Sequence, residues 1–235
     1  MELVTQESEN QKAKTEVENS KIGSAQAEAQ ESISQHSEMS SELKSELDSV
    51  IDEHYSKSNL DTIIEPIVDT LGQKIAEIDE SVNTQKILLC FSLSAFEQLK
   101  RIFRNIQWNG SNFYYFLQAY DLLVEQAERD DDNNSYDVVV QGQDMDFILS
   151  QINSYTGQGI KDAKKFFAAY SPIAQGYRFY RKLINLGNKT KTELQNETLE
   201  YISEAIDDEQ DDADWSGFKK SLKSILSPDN EEDEE

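Results

Sequence analysis

The sequence predicts an all-α fold, a helical bundle of about six or seven helices with disordered acidic segments at its N- and C-terminal ends. Three observations carry that expectation. Apolar residues recur at steps of three and four along most of the chain, the period that gathers them on one face of a helix. Nine glycines and three prolines in 235 residues are too few for the many turns of a sandwich or barrel. The formal charge of −24 is also unevenly placed, with 13 acidic and 5 basic side chains in residues 1–60 and 14 against 3 in residues 200–235.

The first segment, 1–37, has few large apolar side chains beyond Val4, Val17, Ile22 and Ile33. Glu, Gln, Ser, Lys and Ala dominate it, a composition that cannot offset ordering entropy by burial. The expectation is a disordered polar arm, or a helix that forms when something binds it. A helical body over 38–206 follows. Met39, Leu43, Leu47 and Val50 open it, and Leu60, Ile64, Ile67, Leu71, Ile75, Ile78 and Val82 form its longest seam. The apolar seam over 60–106 reads as the core of the chain itself, the commoner outcome for such a run, or as a subunit interface. Pro66 lies inside this run, either in a first helical turn beginning near Glu65 or at a kink.

After Asn83 and Thr84 the pattern resumes as Leu88, Phe91, Ala95, Leu99, Ile102 and Ile106, which reads as a further helix. Asn109-Gly110-Ser111 ends it, and Phe113, Phe116, Leu117, Tyr120, Leu123 and Val124 mark the face of the next. Residues 130–135 are acids, asparagines and a serine, hence a loop. The stretch 136–140 fits a short strand, being rich in valine, or the first turn of a helix carrying Met145, Ile148, Leu149, Ile152 and Tyr155. Three more helices are expected over 160–170, 173–186 and 191–206, separated at Ser171-Pro172 and Leu186-Gly187-Asn188.

Catalytic material is thin. His36 and His54 sit in polar sequence and read as surface histidines. Gly157-Gln158-Gly159 lacks the third glycine and the preceding buried strand of a phosphate cradle. Cys90, between Leu89 and Phe91, reads as a small hydrophobe on an apolar helix. The loop beginning at Asp130 has Asp132 and Asn134 at positions three and five of a calcium loop. It has Ser135 where the glycine belongs and Gln141 where the bidentate glutamate belongs, so it fails at two informative places. No catalytic residue, cofactor site or metal ligand is therefore assigned, and no family resemblance supplies one. A single cysteine excludes an intramolecular disulfide framework and fits a reducing compartment. The polar first residues lack the form of a cleavable secretory signal, and no run reaches the roughly 20 apolar residues of a membrane span. The expected setting is the cytoplasm, or a virion if a phage encodes the chain.

Two stretches are candidate surfaces. Residues 160–192 carry eight cations against Asp162 alone. Lys164, Lys165, Arg178, Arg181 and Lys182 interleave there with Phe166, Phe167, Tyr170, Tyr177, Phe179 and Tyr180, a mixture that holds anions or single-stranded nucleic acid. The competing reading packs the rings inward and pairs the cations with acidic neighbours. The second stretch is the acidic tail 207–235 with its amphipathic helix 214–227. There Trp215, Phe218, Leu222 and Ile225 share one face opposite Lys219, Lys220 and Lys223. So short a helix is marginal alone and needs a surface, either on this chain or on a protein partner.

These features predict a non-catalytic interaction protein of macromolecular assembly, a scaffold, chaperone or structural adaptor of phage or bacterial kind. It would bind another protein through the C-terminal segment, or a second copy of itself. Alternatives are an acidic inhibitor that mimics nucleic acid in a basic cleft, and a nucleic-acid binder masked by its own tail.

Overall fold

The computed structural model describes residues 20–35, 41–55, 61–106, 113–156 and 159–207. The chain is mostly helical, as its periodicity predicts, and adds one small antiparallel sheet. Helix α1 spans 20–34, followed by α2 (Ser41–Tyr55), α3 (Asp61–Thr84), strand β1 (Lys86–Ser92) and α4 (Leu93–Asn105). Helix α5 (Phe113–Tyr120) continues into a π-helical turn (Asp121–Glu125). Strands β2 (Glu128–Asp130) and β3 (Ser135–Gln141), α6 (Asp144–Asn153) and α7 (Gly159–Asp207) complete the order. The chain divides into two compact units, one of residues 1–31 and 82–184, the other of residues 32–81 and 185–235.

The sheet of the first unit has the order β1-β3-β2, with Leu89 opposite Val138 and Phe91 opposite Tyr136. Residues 86–92 are thus a strand where the periodicity predicts helix. Ile87, Leu88, Leu89, Cys90 and Phe91 are apolar at every position, so the run satisfies both periods. Its burial settles the matter: Ile87, Leu89 and Phe91 face the core, while Leu88 and Cys90 are half-buried on the opposite face. Each fully buried aliphatic or aromatic side chain contributes about 1.5–3 kcal/mol. Strand ends at helix where the Ser92 hydroxyl accepts from the Ala95 amide at 3.3 Å, capping α4. Of the two readings of 136–140, the strand holds.

Helices α4 and α6 supply Phe96, Leu99, Ile102, Met145, Ile148 and Ile152 to the same core. Phe96 stacks on Tyr136 with ring centroids 4.0 Å apart. The early part of α7 lies close on β1. A Cβ added at Gly176 would stand 2.3 Å from Leu89 Cδ2 and 3.2 Å from Ile87 Cγ2.

The second unit buries Leu43 and Leu47 of α2, Ile67, Leu71 and Ile78 of α3, and Leu194 and Ile202 of α7 in one cluster. These α3 positions of the seam are therefore internal core. Pro66 sits inside α3 rather than at its start, and the Thr70 hydroxyl donates to the Pro66 carbonyl at 2.9 Å. Lys191 pairs with Asp79 at 2.8 Å, and the Tyr201 hydroxyl donates to the Asp48 carboxylate, which pushes that phenol up to about 12.

Helix α7 runs unbroken for 49 residues where three helices were expected. Ala169, Ile173, Gly176, Tyr180, Leu183, Gly187, Thr190, Leu194, Thr198 and Ile202 form a continuous buried stripe at steps of three and four. Packing along that stripe outweighs the ~3 kcal/mol cost of Pro172 and the ~1 kcal/mol cost of each glycine. The expected arm 1–37 also contains a helix: in α1, Ala29 and Ile33 are buried. The remainder of that arm and the tail 208–235, with Trp215, Phe218, Leu222 and Ile225, lie outside the described residues.

Candidate interaction surfaces

Helix α7 turns its buried stripe inward and its cations out. Lys161, Lys164, Lys165, Arg178, Arg181 and Lys182 are all exposed. Along the outer ridge, Ile160, Lys164, Phe167, Ser171, Gln175, Arg178 and Lys182 succeed one another at steps of 4, 3, 4, 4, 3 and 4, so they share one side of the helix. Lys161 flanks that ridge on one shoulder and Arg181 on the other, while Lys165 is exposed one turn before Ala169, on the row of the buried stripe. Among the described residues, no carboxylate stands within 4.0 Å of any of these six cations. Lys44, Lys86, Arg101 and Arg104 likewise have none, whereas Lys21, Lys74, Lys100, Arg129, Lys189 and Lys191 have carboxylate partners. Of the eight cations in the basic stretch 160–192, Lys189 and Lys191 thus make the expected pairing among the described residues and the six from Lys161 to Lys182 do not.

The aromatic residues of the stretch divide. Phe179 and Tyr180 are buried, and the Tyr180 hydroxyl donates to Asn83 Oδ1 at 3.2 Å. Burial pushes the Tyr180 phenol up, and the Tyr177 phenol rises through its hydrogen bond with Asp146. Phe166 stacks between Tyr155 and Tyr170, with centroids 5.4 and 5.3 Å apart. Phe167 alone among the six stands well out of the fold, 67% exposed. Tyr155, Gly159, Asp162, Ala163 and Phe166 line a cavity of about 180 Å³. That is smaller than the roughly 300 Å³ at which ordinary ligand pockets begin.

A second surface was not singled out by sequence reasoning. Helix α5, FYYFLQAY, carries no charge, and Ala119 is its one fully buried residue. Phe116 and Tyr120 meet the Phe103 ring at 5.7 and 5.5 Å, as expected of an inward face. Phe113 and Leu117, read from the spacing as part of that face, are instead exposed. Tyr114 and Tyr115 are 72% and 51% exposed, and Leu117 is 45%. The signal was present in the sequence: an eight-residue helix with no charge, and with Gln118 as its one polar side chain besides the tyrosines, has little polar face to show to water. No protein-family model, curated protein or solved structure matches the chain. Function must then be argued from these surfaces.

The hairpin between β2 and β3 takes a different part. Asn134 adopts φ 53°, a left-handed conformation that asparagine tolerates. Asp130 accepts from the Lys21 ammonium of α1, from Asn133 Nδ2 at 2.7 Å and from the Asn133 amide at 3.2 Å. These donors hold its carboxyl well below the usual carboxylate range and raise Lys21. The carboxylate placed first in the calcium reading is thus a strut for α1, and no cluster of three or more metal-ligating side chains occurs among the described residues. Cys90 is half-buried on β1, not on a helix. His54 falls in α2, and His36 lies outside the described residues. No described helix is long and apolar enough to cross a membrane.

Proposed function

We propose that this chain is a non-catalytic interaction protein that works in macromolecular assembly as a scaffold, chaperone or structural adaptor. The observation that carries the reading is the uncharged face of α5, where Tyr114, Tyr115 and Leu117 stand exposed together. Grouped apolar exposure is costly in water, and aromatic residues, tyrosine above all, are what protein interfaces concentrate. The tail segment with Trp215, Phe218, Leu222 and Ile225 supplies a second contact in this reading, a short helix that gains order on a partner's groove.

The test is affinity purification of the full chain from its native cells beside two variants, Tyr114→Ser/Leu117→Ser and a chain ending at residue 206. A stoichiometric protein recovered with the full chain and lost with the α5 variant, at unchanged circular dichroism, supports the proposal. Loss on truncation as well assigns the tail its share. A strict monomer that recovers no partner, or equal recovery by all three proteins, overturns it.

A further inference from the structure

We propose that the outer ridge of α7 is a binding surface for single-stranded nucleic acid, independent of the α5 face. The six cations from Lys161 to Lys182 are all exposed and have no carboxylate at ion-pair distance among the described residues, and Lys164, Arg178 and Lys182 stand on the outer ridge itself. From Lys164 to Lys182 the ridge runs about 27 Å at 1.5 Å per residue. Such a row offers a polyanion several contacts, each releasing a condensed counterion.

The chemistry between the cations selects the polyanion. Phe167 presents its ring on the ridge itself, between Lys164 and Arg178 along the same side. An unpaired base can stack on that face, whereas the bases of a duplex are already stacked on one another. A bilayer fits less well. Ile160 and Phe167 would have to enter it together with Ser171 and Gln175, which follow on the same ridge, and their dehydration is unfavourable. Those two polar side chains suit a hydrated sugar–phosphate strand. The overall negative charge does not forbid contact, because at physiological ionic strength charges beyond about 8 Å are largely screened.

The experiment measures binding of the full chain to a fluorescent oligothymidylate by anisotropy between about 50 and 200 mM salt. Two variants accompany it, Lys164→Gln/Arg178→Gln/Lys182→Gln and Phe167→Ala, all at exposed positions and checked by circular dichroism. Binding should weaken with salt, and the triple variant should flatten the log–log slope by about 2, at roughly 0.7 per phosphate contact. Phe167→Ala should cost about tenfold in affinity without changing that slope. No binding at the lowest salt overturns the proposal, as does binding that both variants leave intact. Tighter binding to a duplex of equal length, stronger sedimentation with phosphatidylserine vesicles, or equal displacement by polyglutamate at matched charge also overturns it. The last three would reassign the ridge to duplex, membrane or acidic protein.

Discussion

Two glycines show how far a single residue's fate depends on what surrounds it. Gly72 lies exposed within α3, and a Cβ there meets nothing within 4 Å. Gly72→Ala should stabilise the protein by about 0.5–1 kcal/mol, since alanine loses less backbone entropy in a helix. Gly142 lies between β3 and α6, where its amide donates to the Gln85 carbonyl at 2.9 Å. A Cβ at this position would stand 2.7 Å from the Val82 carbonyl oxygen and 2.7 Å from Tyr180 Cε2. A backbone carbonyl cannot swing aside as a side-chain tip can, so Gly142→Ala should destabilise by about 2–3 kcal/mol. Urea unfolding of both variants reads the two signs, and a Gly142→Ala midpoint at or above wild type would refute the close approach. Neither sign was legible in the sequence. Gly72 sits in a good helical seam and Gly142 beside a turn, but only the packed neighbours distinguish harmless from obligatory.

At the scale of elements, the helical class and the inward seam of α3 were legible because amphipathic periodicity is a local property. The strand β1 was not, since a run apolar at every position carries no period of its own. The continuity of α7 was not either, because Pro172 and Gly187 are local breakers overruled by contacts distant in sequence. The exposed side of the basic ridge was half legible. Spacing put cations on the helix, but whether acids would come to meet them depended on the fold. Helix α1 is the sharpest case, since a polar segment is ordered and Lys21 reaches Asp130 and Asp137 of the hairpin. That tie makes a prediction about pH. Asp130 has a depressed folded pKa, so its contribution is present above the ordinary carboxylate value of about 3.9 and is lost as pH falls toward the folded value. Lys21 has a raised one, so its contribution is complete below the ordinary lysine value of about 10.4 and is lost as pH rises through the folded value. Wild type should therefore lose urea resistance as pH drops from about 5 to 3, and Asp130→Asn should be less stable at neutral pH with a shallower acid slope. Parallel acid slopes in the two proteins would mean that this strut contributes nothing.

Across the whole molecule, two consequences of charge oppose each other, and salt separates them. Ion pairs such as Lys74 with Glu77 and Lys189 with Glu193 lie at the surface one turn apart, and pairs of that kind contribute about 0–1 kcal/mol and weaken in salt. Against them stands a net charge of −24, whose self-repulsion opposes the compact state and is relieved by the same ions. Acidic side chains outnumber basic ones by 46 to 22, so most carboxylates have no cation to pair with, and relief of repulsion should win. Thermal unfolding between low and about 300 mM sodium chloride should shift upward by several degrees, equivalent to about 1–2 kcal/mol for a chain of this size. Sodium chloride is the right salt because sulfate would also strengthen apolar burial by exclusion. Over the same range the α7 ridge should lose affinity for an oligonucleotide, because its cations act at contact and are released by competing ions. A melting temperature that falls with salt would show that the surface ion pairs outweigh the repulsion, and the charge excess would then bear on solubility and partners alone.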